Sequence, residues 1–113
     1  MQLESKKYLY DILQAGKDLE RFSDGKVFAD YETDALLRSA TERKFEVIGE
    51  ALRRPSQEDA TTAAQITEYE RIIAFRNILI HGYAEVDDRI VWDILQTELP
   101  TLLQEVETLL GAE

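Results

Sequence analysis

The chain has no cysteine and a single histidine among its 113 residues. Without cysteine there is no disulfide framework, no thiolate metal site and no thiol nucleophile. One imidazole excludes a multi-histidine metal centre within one chain. Tryptophan occurs once, proline twice and glycine five times, so few breakers punctuate the chain. No apolar stretch approaches the roughly 20 residues needed to cross a bilayer. The opening MQLESKKYLYDILQ mixes charge with apolar groups where a secretory leader would carry an apolar run, so a cytoplasmic protein with no membrane partner is expected. Basic residues are also scarce: 13 Lys and Arg face 23 Asp and Glu, a net charge of −10. Such a surface repels phosphates overall and argues against non-specific nucleic-acid binding, while leaving room for a small basic cleft. From Glu85 to Glu113 there are eight acids and one base, Arg89. That acidic stretch is either a solvated face or a surface for a basic partner protein.

What the chain does have is apolar residues at helical spacing, 44% of the total against 32% charged. This is the balance of one globular domain spanning residues 1–113. The pattern predicts an all-α fold, an up-and-down four-helix bundle. The first helix is expected from about Ser5 to Phe22, ended by the turn Ser23–Lys26. Gly16 lies within its apolar stripe, where it is either a close approach of another backbone or a tolerated defect. A second helix is expected from about Tyr31 to Arg54, with Asp30 as N-cap and Pro55 beyond its end, followed by a loop or weak turn over 56–64. The third should run from about Gln65 to His81, stopped by Gly82. Asp87 or Asp88 should cap the fourth, which continues to Leu110 with a kink or split at Pro100.

The third helix carries the chemical signal. In RIIAFRNILIHGY, residues 71–83, apolar side chains cover nearly the whole circumference, so the helix needs cover from its own domain or a partner. Arg76 is four after Ile72 and four before Ile80, within the apolar stripe. An unpaired buried guanidinium is very costly, so Arg76 requires an anion, a wet cleft or a substrate. Asn77 and His81 are one turn apart on one face, whereas Arg76 lies about 140° around the axis from His81. Tyr83 follows the helix end. A guanidinium can clamp phosphate bidentately and a neutral imidazole can accept a proton. Together they suit RNA cleavage, the base acting on the 2′-hydroxyl and the cation on the developing phosphorane charge. The same residues also fit a structural role, with histidine favoured at a helix C-terminus and arginine satisfying a buried carboxylate. Glu46 and Glu50, one turn apart on the second helix, either anchor Arg76 or form a solvated face. Glu42, Glu46 and Glu50 have no histidine beside them, so no metal site is expected. Trp92 is expected to pack rather than stack on a base.

Arg76, His81 and Tyr83 form R-x4-H-x-Y. With YLYDILQA at 8–15, VIGEAL at 47–52, FRNILIHGY at 75–83 and VWDILQTELPTL at 91–102, the chain resembles the HEPN-domain family, in particular its HepT-like (DUF86) branch. Relatives often carry proline and tryptophan before the motif helix, where this chain has Gln65, Ile66 and Tyr69. The resemblance implies a helical bundle that forms a homodimer, with the two motif helices lining a shared cleft. It implies a metal-independent endoribonuclease toxin with RNA as substrate and no cofactor of its own. Its antitoxin would be an MNT-type nucleotidyltransferase that uses ATP to place AMP on the motif tyrosine. Carried over, Arg76 and His81 are catalytic, Asn77 supports them and Tyr83 is the modified residue. Two non-catalytic readings compete: a nucleotide- or RNA-binding dimer that partners the nucleotidyltransferase, and a purely structural dimeric partner.

Overall fold

In a computed structural model that describes residues 1–82 and 86–111, the described residues form helices and no strand. Helix α1 spans Leu3–Ser23, α2 Phe28–Thr33, α3 Ala35–Glu58, α4 Ala60–Ala63, α5 Tyr69–His81, α6 Asp88–Asp93 and α7 Leu99–Gly111, with a π-helical turn over Ile94–Glu98 between the last two. Helix α1 packs on α3 and α7, and α3 also carries α5. The core between them contains Leu9, Ile12, Leu19, Ile48, Leu52 and Val106, each fully buried. Burying a side chain of this kind stabilises by roughly 1.5–3 kcal/mol.

The first helix follows its stripe. Leu9, Ile12, Leu13 and Leu19 are buried, and the turn after it closes at Gly25, whose φ of 71° suits glycine. Gly16 is a real close approach, made by a side chain rather than a backbone. A Cβ there would lie 2.2 Å from Leu103 Cδ2 of α7.

The second predicted helix differs at both ends. Asp30 does not cap a helix beginning at Tyr31. It sits inside the short α2, where its carboxylate accepts from Val27 N at 2.9 Å. Asp34 is the cap of α3, accepting from Leu37 N at 3.1 Å. At the other end, Pro55 lies buried inside α3 rather than beyond it, and the helix continues to Glu58. Proline removes one helical bond, but the last turn has outside partners. Gln2 Nε2 donates to Glu58 O at 3.0 Å. Asp59 accepts from Ser5 Oγ at 2.9 Å and from Thr62 Oγ1 at 2.8 Å, tying α1 to the start of α4.

Helix α5 begins at Tyr69, later than Gln65, because Glu68 adopts a left-handed conformation with φ 52°. The preceding segment is pinned to α7, Thr67 Oγ1 donating to Glu105 Oε2 at 2.7 Å. Gly82 ends α5 as expected, its N–H donating to Ile78 O.

Asp87 is the cap of α6, accepting from Arg89 N and Ile90 N. The rod that follows is split as Pro100 implied. Pro100 cannot donate to the carbonyl four residues back, and just before it Leu99 N donates to Ile94 O, one residue farther back than in an α-helix. The residue pattern asks for the same thing. Val91, Leu95 and Leu99 are all buried at four-residue spacing, which would drift by about 80° around a regular helix. The wider turn keeps them on one side. Trp92 is buried against Tyr31, ring centroids 5.5 Å apart, in the packing role expected for it.

Candidate functional site

Helix α5 positions Arg76 and His81, and its neighbours treat the two differently. Arg76 points at α3. Its Nη2 forms an ion pair with Glu50 Oε2 at 2.7 Å, and its Nη1 donates to Asn77 Oδ1 at 2.8 Å. The side chain is 17% exposed, and Nε is buried without a hydrogen-bond partner among the described residues. The carboxylate thus supplies the anion that a guanidinium within an apolar stripe requires.

The open side of Arg76 faces a groove of about 340 Å³ between α1, α3 and α5. Arg43, Arg54 and Arg76 line it, together with Asp11, Glu46 and Glu50. Three bases offset three acids, in a chain whose net charge is −10. Tyr8 adds an aromatic wall. Glu46 is held by Arg43 at 3.5 Å, so of the two glutamates it is Glu50 that grips Arg76.

His81 is the last residue of α5 and is exposed. It is not among the residues that line the groove. Within one chain, Arg76 and His81 therefore occupy different sides of the helix end, as the angular spacing requires. Asn77 stays with Arg76 through its amide. Tyr83 lies outside the described residues. Among the described residues, no three His, Asp or Glu side chains converge to hold a metal.

The apolar circumference of α5 is only partly covered. Leu79 is its one buried residue; Ile78 is 52% and Ile80 38% exposed. Phe75 packs edge-on to Phe45 at 5.4 Å. Beside them a mainly apolar slot of about 280 Å³ separates α5 from the α6–α7 rod, walled by Phe75, Ile78, Ile90, Ile94 and Leu102. Ile90 is itself 55% exposed.

Gly49 has a place in this site that its position in the sequence did not disclose. A Cβ on Gly49 would lie 2.2 Å from Arg76 Cβ and 2.7 Å from its Cγ. The only outward signal is a glycine inside a buried helical stripe, immediately before Glu50.

These features define a class: an all-helical protein that presents an arginine and a histidine from one exposed apolar helix. The chain belongs to the HepT-like ribonuclease family, whose profile matches residues 12–109. It is 30% identical over 102 residues to a protein of Methanocaldococcus jannaschii named “Putative RNase MJ1380”, covering 90% of this chain and 93% of the relative. It is 33% identical over 106 residues to “Putative RNase TTE0752” of Caldanaerobacter subterraneus subsp. tengcongensis, covering 94% of each. “Probable ribonuclease HepT” of Thermococcus cleftensis is 30% identical over 109 residues, covering 96% of this chain and 98% of the relative. No solved structure matches.

Proposed function

We propose that this chain is a metal-independent endoribonuclease toxin, acting in the cytoplasm as a homodimer of HEPN-type four-helix bundles. Its antitoxin is a nucleotidyltransferase of the MNT type that AMPylates Tyr83. The observation that carries the reading is the placement of Arg76. It stands on a groove wall with an open side, while the apolar face of the same helix lies uncovered. A second copy laid along the exposed end of α5, over Ile78, Ile80 and His81, covers its bare isoleucines and doubles the Arg76 and His81 set about one cleft. A groove from one subunit and an imidazole from the other then flank the same phosphate.

In the reaction, neutral His81 takes the proton of a ribose 2′-hydroxyl. The 2′-oxygen bonds to the adjacent phosphorus, and the bond from phosphorus to the 5′-oxygen breaks. The leaving 5′-oxygen takes up a proton, giving a 2′,3′-cyclic phosphate and a 5′-hydroxyl. Arg76 stabilises the charge that builds on the equatorial phosphoryl oxygens. AMP on Tyr83, two residues beyond His81, would bring a bulky anion to the cleft, engage the cations and repel RNA.

Purified protein incubated with RNA in chelator should cleave it, and Arg76→Ala and His81→Ala should each abolish cleavage. Activity that persists in both variants would sink the assignment. For the modification, protein, ATP and the nucleotidyltransferase should yield AMP on Tyr83 by mass spectrometry; AMP found only elsewhere would remove that step. The non-catalytic alternative draws on the Glu50–Arg76 pair, which neutralises the cation in the single chain. There the dimer would bind a nucleotide or RNA end without hydrolysis. Thermal stabilisation by AMP that survives His81→Ala but not Arg76→Ala, with RNA left intact, would favour it.

A further inference from the structure

We propose that Gly49 and Glu50 are positioning residues for Arg76, together setting where its guanidinium stands at the groove. The inference rests on the ribonuclease reading above and deepens it. Three constraints fix the arginine. At its root, the Cβ and Cγ of Arg76 occupy the space a Cβ on Gly49 would need, at 2.2 and 2.7 Å. Those atoms lie next to the α5 backbone, so a change of arginine rotamer cannot remove the Cβ overlap. A methyl group on Gly49 would push α5 itself away from α3. At its head, Glu50 takes Nη2 at 2.7 Å and Asn77 takes Nη1 at 2.8 Å. Between root and head, Nε is buried.

Gly49 and Glu50 are consecutive, so one turn of α3 supplies both the seat and the grip. The grip is one-sided. A guanidinium has five donors, and the ion pair with Glu50 and the hydrogen bond to Asn77 leave hydrogens on the Nη atoms for a phosphoryl oxygen. The cost of holding a long flexible side chain in one place is met before substrate arrives, which is where preorganised electrostatics gain their effect. Glu50 is 47% exposed, so its carboxylate stands at the edge of the groove and is not sealed beneath it.

The test uses the full chain, with Glu50→Gln, Glu50→Ala and Gly49→Ala compared with wild type in two measurements. One is steady-state cleavage of a fluorescent mixed-sequence oligoribonucleotide. The other is solvent exchange of the Arg76 Nε–H by NMR, which reports the mount whether or not the protein cleaves RNA. Glu50→Ala should lower kcat about 10- to 100-fold, change KM far less, and speed Nε–H exchange. Glu50→Gln, which keeps an acceptor of the same shape, should recover most of both. Gly49→Ala should match Glu50→Ala if it folds; the Glu50 pair decides the matter if it does not. Unchanged exchange in Glu50→Ala, or faster exchange with kcat unchanged or raised, overturns the proposal. A wild-type protein that leaves RNA intact overturns the ribonuclease reading instead, and the exchange data still report whether Glu50 and Gly49 hold Arg76.

Discussion

Single residues here carry loads that can be measured one at a time. Gly16 is the plainest. Its missing side chain is where Leu103 sits, and Leu103 is itself buried. Gly16→Ala should lower stability by about 1–3 kcal/mol through overpacking. In urea denaturation its cost combined with Leu103→Ala should be clearly less than the sum of the two, because the pair shares one contact. Tyr31 tests the opposite case, a fully buried ring whose hydroxyl has no hydrogen-bond partner among the described residues. Burial pushes that hydroxyl above its ordinary value of 10.0, with Glu42 and Asp88 adding to the shift and Arg38 opposing it. A folded-state value raised above the unfolded one means stability that is present below about pH 10 and lost as pH climbs beyond it. Tyr31→Phe should flatten that alkaline loss in a series of melting curves and raise stability at pH 7 by about 1 kcal/mol. Arg76 is legible in the sequence because a cation among apolar residues must have an answer. The answer itself is not: Glu50 becomes the partner only through the crossing of α3 and α5, and that crossing depends on Gly49.

At the scale of elements, the helices were readable from their apolar stripes, whereas several ends were not. Asp30 and Asp34 are both plausible caps by residue type, and only a break of one residue between two helices decides between them. Pro55 looked like a terminus because a helix interior resists proline. Its turn persists through Gln2, Ser5 and Asp59, which belong to other segments and left no local trace. Asp59 makes this joint sensitive to acid. Hydrogen bonds from Thr62 and Ser5, in that order, hold its carboxyl below the ordinary 3.8, against a smaller opposing effect of burial. A depressed folded value contributes stability above the unfolded value and loses it as pH falls through the folded one. Melting temperature should therefore drop in acid more steeply for wild type than for Asp59→Asn. The variant should also show faster amide exchange in α4 and in the last turn of α3 at neutral pH.

For the whole molecule, the unusual quantity is how much of α5 remains uncovered after the chain has folded. A helix apolar on nearly every side buries only Leu79 fully, and the slot beside it opens toward solvent through Ile78 and Ile90. A contiguous bare patch of this kind marks an interface more often than a free surface. In sedimentation equilibrium the wild type should be dimeric at micromolar concentration. Ile78→Lys should be monomeric with its helix content intact, and should lose RNA cleavage with Arg76 and His81 untouched. A monomeric wild type would leave the shared cleft without foundation. The circumference of α5 announces its need for cover in the sequence, and in the proposed dimer that cover comes from a second molecule, whose surface one chain does not spell out.

The π-turn at Ile94–Glu98 bears on how the chain can change length. It is equivalent to one residue inserted in an otherwise regular rod, and Gln96, Thr97 and Glu98 all face solvent. Deleting Gln96 or Thr97 would remove the extra residue while α6 and α7 keep their present inward sides. The same deletion three residues after Pro100 would rotate Val106 and everything beyond it by about 100° and expose the seam with α1. Length variation among natural or engineered versions of this rod should therefore be absorbed at that one turn.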